Sequence, residues 1–213
     1  MTETKPLRLG KVRCEVQQRG IRVALTRPGA PVEELWLPPW PGGVGGVELV
    51  TSPDERSLAV FLFSGQSSQG FELFSLEPSL RHLASVPETW GHGDAPFFSR
   101  RGDLVAMVMD RERKLSGTDT WFEDVQADDA LDTVLVDWGR VWWLRVAEGV
   151  PASFTVAVEV PRSLNVDELF DWAPYDVGSF DADDALVLSL PWGVRAQTAL
   201  PRSEPLITRA PRS

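Results

Sequence analysis

One loop holds the residues best suited to acid–base chemistry in this sequence. The stretch ETWGHGDAP, residues 88–96, brings Trp90, His92 and Asp94 within five positions of one another. An imidazole close to a carboxylate can act as a general base. We favour a structural or inert role for His92, and we expect the other histidine, His82, to face solvent from a predicted strand.

Other reactive groups do not form a catalytic pattern. Cys14 is the single cysteine, which excludes an intramolecular disulfide and a cysteine-rich metal site. It is expected to be a small strand hydrophobe. The chain has no Gly-x-Ser-x-Gly, phosphate-loop or dinucleotide-binding motif. We therefore predict no catalytic residue, no metal site and no cofactor.

Carboxylates are abundant, but the sequence does not define their separation. A glycosidase needs two of them at a defined distance. The stretch DADD, 181–184, lacks the remaining positions of a calcium-binding loop. Acidic turns in an acidic protein are usually solvated. The carboxylates found in turns and loops are Glu123, Asp124, Asp128, Asp129, Asp132, Asp181, Asp183 and Asp184.

Tryptophan is the unusual feature of the composition, with nine residues against one tyrosine. Exposed tryptophans are enriched at binding hot spots, although most are expected to fill gaps in a core. The adjacent Trp142 and Trp143 must point to opposite faces of a strand. The predicted binding residues are Trp36, Trp40, Trp90, His92, Asp94, Trp121 and Trp142.

The charge restricts the partners. With 31 acidic and 21 basic residues, the formal net charge is -10. This argues against nucleic acid or an anionic membrane as partner and permits a basic protein. There is no secretory signal and no apolar run of about 18 residues, so the expected location is cytoplasmic.

The elements that would position these residues are mostly predicted strands. Residues 37–46, rich in proline and glycine, separate a first group of strands from a second. One helix is predicted at 165–173, and a flexible tail at 201–213. The predicted strands are 12–18, 21–26, 32–37, 47–51, 58–63, 71–76, 81–86, 134–136, 141–146 and 154–160, with 137–140 as a hairpin turn.

A motif recurs along the chain. TSPDERSLAV, 51–60, aligns without a gap on FSRRGDLVAM, 98–107, at an offset of 47 residues, and FDADDALVLS, 180–189, follows 82 residues later. The charged segment 111–132 is therefore interpreted as an insertion. The runs Leu58–Phe63 and Leu104–Met109 are apolar at every position, which requires cover on both faces. Such strands are typical of four-stranded sheets stacked face to face, as in a β-propeller. Each sheet, or blade, of a propeller takes ~40–50 residues, which is close to the offset between the two copies.

The stretch SPDERSLAV resembles the S-P-D-G-x-x-L-A hairpin of TolB-like and WD40-like β-propellers. Ser52, Pro53, Asp54, Leu58 and Ala59 match that pattern, whereas Glu55 replaces its glycine. The Gly-His pair that includes His92 also resembles the structural Gly-His of WD40 repeats. The resemblance implies a propeller-like fold, and that family consists largely of binding scaffolds.

The expected fold is therefore mainly β. Antiparallel meanders would form a propeller-like stack of about three to four blades within a single domain, 1–200. The predicted units are 46–86, 95–161, and 177–199 completed by 12–37. A β-sandwich is the alternative, and a homodimer is one way to complete a ring.

Two functions follow as hypotheses. The preferred one is a non-enzymatic protein-interaction scaffold with 111–132 as its contact surface. Its partner would be a protein, and a basic protein is one special case of this hypothesis. The alternative is a hydrolase or carbohydrate-binding protein that uses loop tryptophans and aspartates.

Overall fold

The computed structural model describes residues 7–17, 20–40, 43–64, 68–90, 93–110, 133–161, 178–190 and 193–209. Within these ranges the chain is mainly β. The strands are β1 (Leu7–Leu9), β2 (Val12–Gln17), β3 (Gly20–Leu25), β4 (Glu33–Leu37), β5 (Gly46–Thr51), β6 (Ser57–Phe63), β7 (Ser68–Ser75), β8 (Arg81–Trp90), β9 (Phe97–Phe98), β10 (Leu104–Asp110), β11 (Thr133–Arg145), β12 (Ala152–Pro161), β13 (Gly178–Phe180), β14 (Leu186–Ser189), β15 (Arg195–Thr198) and β16 (Leu206–Arg209).

The strands form four sheets that follow one another along the chain. The first sheet has the order β1-β2-β3-β4 and the second β5-β6-β7-β8. The third has the order β16-β12-β11-β10-β9 and the fourth β13-β14-β15. Neighbouring strands are antiparallel except β12 and β16, which run parallel. The second sheet is thus the up-and-down meander that the sequence predicts.

Three hydrophobic cores lie between successive sheets. Val12, Ile21 and Leu25 of the first sheet pack with Leu58 and Val60 of the second. A second core joins the second and third sheets, and a third core joins the third and fourth. The four sheets are therefore stacked in chain order.

The apolar runs occupy the positions that bury both faces. In β6, Leu58 and Val60 face the first sheet while Ala59 and Phe61 face the third. In β10, Ala106 faces the fourth sheet and its neighbours face the second. Successive side chains of a strand point to opposite faces, so a strand inside a stack must be apolar throughout.

The structure differs from the predicted units at its ends. Residues 12–37 form a sheet with β1, whereas they were expected to complete the unit at 177–199. Residues 206–209 form β16 in the third sheet, within the segment predicted to be a flexible tail. The first sheet is completed locally by β1, whereas β16 reaches the third sheet through a long-range pairing that local sequence does not encode.

The predicted hairpin at 134–146 is wrong. Residues 133–145 form one strand, and the register shifts between Asp137 and Gly139 where a turn was expected. Trp138 at this irregularity is 1% exposed, so its burial keeps the chain in the sheet. The predicted helix at 165–173 and the insertion at 111–132 lie outside the described residues.

Candidate functional site

The three repeated turns share one hydrogen-bond pattern. The backbone N–H of Ser52 donates to the Ser57 carbonyl at 3.0 Å, and that of Ser99 donates to the Leu104 carbonyl at 2.9 Å. In the third turn the equivalent bond runs from Asp181 to Ala185 at 3.0 Å, so this turn is one residue shorter. The repeat in the sequence thus corresponds to a repeated structure.

These turns also contact one another. A Cβ placed on Gly102 of the second turn would lie 3.2 Å from Asp54 Oδ1 of the first. Asp184 Oδ1 of the third turn accepts the Arg100 N–H at 3.0 Å, and its Oδ2 lies 3.3 Å from Arg101 Nε. Their polar groups therefore hold neighbouring sheets together, which is a structural task.

Asp54 is ionised within its turn. Burial alone would raise the pKa of this carboxyl, but the Ser52 hydroxyl, the Arg56 N–H and the Arg56 charge outweigh it. The net effect lowers the pKa of Asp54 below its ordinary value. Asp54 Oδ1 accepts two hydrogen bonds. The Ser52 hydroxyl donates at 2.6 Å, and the backbone N–H of Arg56 donates at 3.1 Å.

A histidine, a serine and a glutamate meet in the second sheet. His82 Nε2 lies 2.7 Å from Glu72 Oε2, and the Ser85 hydroxyl donates to the same oxygen at 2.5 Å. Glu72 is buried, and the His82 ring stands edge-on against Phe74. The expectation that His82 simply faces solvent is therefore wrong.

The order of these contacts does not match a catalytic triad. In a triad the imidazole lies between the hydroxyl and the carboxylate, so that one ring nitrogen takes the serine proton. Here Ser85 and His82 Nε2 both bind Glu72 Oε2, and Ser85 Oγ is 3.4 Å from that nitrogen. The arrangement satisfies a buried carboxylate and does not activate a nucleophile.

The first sheet carries charges on the face that points away from the second sheet. Val12, Cys14 and Val16 face the core, so the residues between them lie on the opposite face. Cross-strand pairing aligns this face in rows. One row contains Arg8, Arg13, Ala24 and Glu34, and the next contains Glu15, Arg22 and Trp36.

Opposite charges on this face are paired. Arg13 Nη2 lies 2.5 Å from Glu15 Oε1, and Arg22 Nη1 lies 3.1 Å from Glu15 Oε2. Arg22 also forms an ion pair with Glu34. Hydrogen bonds from Arg22 lower the pKa of Glu34, and hydrogen bonds to Glu34 and Glu15 raise the pKa of Arg22. The face therefore presents an ordered charge pattern.

Trp36 is the large apolar side chain of this face. It lies on β4, opposite Arg22, and is 36% exposed. A rigid aromatic group beside ordered charges is typical of a binding hot spot. We call the face formed by Arg8, Arg13, Glu15, Arg22, Ala24, Glu34 and Trp36 the Trp36 face.

The structure does not bring the predicted binding residues together. Trp40 is buried in the core between the first and second sheets. Trp142 is partly buried against the core between the second and third sheets, and Trp143 faces the opposite core, as predicted. Asp94 is partly exposed before β9. The structure describes the backbone of Trp90, at the end of β8, whereas His92 and Trp121 lie outside the described residues.

Sequence reasoning missed the charged members of the Trp36 face. Their signal was the alternation of charged and apolar residues in the strands predicted at 12–18 and 21–26. That alternation identifies one polar face on each strand. Only strand pairing shows that these faces adjoin each other and Trp36.

The described residues provide neither a cluster of metal ligands nor a membrane-spanning helix. No group of three or more His, Cys, Asp or Glu residues in these ranges could hold a metal ion. The described ranges also contain no helix with the length and apolarity required to cross a bilayer.

Comparisons with known proteins identify weak structural likenesses. No family model matches the chain, and no curated protein is significantly similar to it in sequence. The Pyrococcus horikoshii acylaminoacyl peptidase aligns at 14% identity and a TM-score of 0.39, covering 94% of this chain and 29% of that one. The Kuenenia stuttgartiensis hydrazine synthase aligns at 15% identity and a TM-score of 0.36, covering 84% and 47%.

The chain thus spans less than half the length of either structure. At these TM-scores neither likeness supports an inference about activity.

Proposed function

We propose that this chain is a non-enzymatic protein-binding module built on a propeller-like stack. The chain has four sheets in sequence order, with a hydrophobic core between each successive pair. This arrangement supports one blade for each sheet, and four blades is the upper end of the range of three to four expected from the sequence. Blades packed around an axis provide a rigid frame for a binding surface. The fold alone does not assign a partner.

The exposed Trp36 within a charged face is the observation that carries the proposal. Trp36 supplies apolar contact area at the edge of the sheet, and the pairs Arg22–Glu34 and Arg13–Glu15 supply both signs of charge on the strands beside it. Such a surface complements a protein surface that also presents both signs. The proposed partner is therefore a protein whose charges match this pattern.

The hydrolase alternative has weaker support. The contact order of Ser85, Glu72 and His82 does not suit acyl transfer. Of the tryptophans proposed for sugar stacking, Trp40 is buried and Trp36 lies opposite Arg22, which forms an ion pair with Glu34. We therefore prefer binding to hydrolysis.

Affinity capture from the native lysate tests the proposal. The wild-type chain, Trp36→Ala and Arg22→Glu would each serve as bait, with captured proteins measured by quantitative mass spectrometry. Removing a hot-spot tryptophan costs about 2 kcal/mol or more, so recovery of the partner should fall roughly tenfold or more. Thermal unfolding of each variant confirms that the bait is folded.

Val150→Ser is the matched control. Val150 is 66% exposed and precedes β12 of the third sheet, away from the Trp36 face. This variant should capture the partner at the wild-type level. Equal capture by wild type and Trp36→Ala would contradict the proposed face. A chain with residues 113–130 replaced by a Gly-Ser linker tests whether the insertion is the contact surface instead.

A further inference from the structure

One edge of the third sheet is covered by a strand that arrives from the fourth. The chain leaves β15 of the fourth sheet and returns as β16, which pairs in parallel with β12. The register places Leu206 opposite Val156 and Arg209 opposite Glu159. The edge of β12 thus receives an extended segment of four residues.

Two side chains hold this segment at its ends. Leu206 packs against the core between the third and fourth sheets. Arg209 donates to Glu159 Oε2 from Nε at 2.9 Å and from Nη2 at 2.7 Å, while the Thr133 hydroxyl donates to Glu159 Oε1 at 2.9 Å. The edge therefore recognises an apolar residue and, three positions later, an arginine.

Arg202, which precedes β16, also contacts the third sheet. Trp143 Nε1 donates to the Arg202 carbonyl at 3.0 Å, and the Arg202 guanidinium lies 5.8 Å from the centre of the Phe154 ring. Arg202 also donates to the carbonyls of Glu204 and Pro205 at 2.8 and 2.6 Å. These contacts fix the bent segment 201–205 immediately before the edge strand, and most of its residues stay exposed.

The segment itself is only lightly attached. Its exposure alternates along the strand, and Ile207 is 58% exposed. A four-residue strand at a sheet edge makes fewer contacts than a central strand, so we expect its local stability to be lower than that of the rest of the sheet. Strand addition at a sheet edge is also a common mode of peptide recognition, in which the backbone supplies affinity and side-chain sites supply specificity.

We propose that the edge of β12 is a peptide-docking groove that the chain's own residues 206–209 occupy in cis. The partner is an extended basic segment of another protein, with an apolar residue in the Leu206 position and an arginine in the Arg209 position. Glu159, on a chain of net charge -10, provides the complementary charge. This groove lies on the third sheet, so the inference does not rest on the Trp36 face.

Fluorescence anisotropy with a labelled peptide of residues 201–209, PRSEPLITR, tests the groove. The protein is the full chain with Leu206→Asp and Arg209→Ala, which weakens its own strand and leaves no charge at 209 to pair with residue 159. This variant should bind the peptide. The wild-type chain should bind it about a hundredfold more weakly, because its own strand is present at a high effective concentration.

Reciprocal charge changes identify the site. A peptide with Arg209→Glu should bind the opened variant roughly tenfold more weakly. Adding Glu159→Arg to the opened variant should restore binding of that peptide and weaken binding of the original one. A general loss of folding would weaken binding of both peptides, so it could not restore binding of the charge-reversed one.

Ile207→Pro provides a second way to open the groove. Proline cannot donate to a strand ladder, so it disfavours the strand at this exposed position while the side chains of Leu206 and Arg209 are unchanged. Ile207→Thr keeps the strand and should behave as wild type. Circular dichroism confirms that the variants are folded.

Three outcomes would overturn the proposal. The first is a folded Ile207→Pro chain that does not bind the peptide. The second is binding that ignores the reciprocal charge change. The third is a concentrated wild-type chain that dimerises in light scattering and becomes monomeric with Arg209→Glu, which would assign the groove to a second copy.

Discussion

Ser52 and Ser99 stand 47 residues apart in sequence and make equivalent hydrogen bonds in neighbouring sheets. Each hydroxyl oxygen accepts a backbone N–H five residues further on, from Ser57 at 2.9 Å and from Leu104 at 3.2 Å. Each also donates to an aspartate, Asp54 at 2.6 Å or Asp103 at 2.8 Å. The two serines are 1% and 0% exposed, so each turn depends on one buried hydroxyl.

Ser52→Ala and Ser99→Ala should therefore destabilise the protein by similar amounts. Each change leaves a buried N–H without its acceptor, which costs about 1–3 kcal/mol in the free energy of unfolding. Urea unfolding followed by tryptophan fluorescence measures this cost. Ser203→Ala, at an exposed position, is the control and should have little effect. A loss at only one of the two serines would show that the turns are not energetically equivalent.

Glu55→Gly should stabilise the protein. Glu55 has a φ of 57°, a left-handed conformation that glycine adopts without strain. Relief of that strain exceeds the added chain entropy, so we expect a gain of about 0.5–1 kcal/mol in unfolding free energy. Thermal unfolding provides the measurement, and an unchanged or lower midpoint would contradict the expectation.

Gly102→Ala should have the opposite effect at the equivalent position. Gly102 has a φ of 74°, and an added Cβ would lie 3.2 Å from both Asp54 Oδ1 and Ser52 Cβ. Backbone strain and crowding together should lower the unfolding free energy by about 1–2 kcal/mol. The same thermal unfolding measurement applies, and a stable Gly102→Ala chain would mean that the two turns do not press on each other.

The contribution of Asp54 to stability should disappear in acid. Its folded pKa lies below the ordinary value of 3.8, so the folded state favours the ionised form. The contribution is complete above the unfolded pKa and is lost as the pH falls through the lower folded pKa. The difference in unfolding free energy between wild type and Asp54→Asn should thus be largest near pH 7 and shrink below pH 3.8. Ser203→Ala, which changes no titratable group at an exposed position, is the control for this pH series.

Cys14 should not react with thiol reagents in the folded protein. Burial, followed by the neighbouring Glu15 charge, raises the pKa of this thiol to about 12. At pH 8 only about one thiol in ten thousand would be ionised, and the group is also inaccessible. Colour development with a disulfide reagent should begin only in denaturant. Rapid labelling without denaturant would place Cys14 outside the core.

Local patterns in the sequence account for the buried strands. The run Leu58–Phe63 predicts a strand covered on both faces, and the structure places its residues in two different cores. The run Leu104–Met109 does the same one sheet later. Full burial needs apolar side chains at consecutive positions, and this requirement is visible in a single segment.

The candidate sites were less predictable because they depend on which strands pair and in which register. The ion pair between Arg22 and Glu34 depends on the register between β3 and β4, and the bond between Arg209 and Glu159 joins residues far apart in the chain. The contact of Glu72 with His82 likewise depends on the register between β7 and β8. The sequence contains all of these side chains but does not show which of them pair.

By itself, the sequence determined which strands are buried on both faces and where the turns between them recur. Burial and turn geometry depend on residues that are close in the chain, so composition and spacing reveal them. Only the tertiary structure decided that 133–145 remains one strand, that 206–209 completes an edge of the third sheet, and that Trp36 lies opposite the paired Arg22. Those features depend on strand register and long-range pairing, whose free energies belong to contacts that form only when the chain is folded.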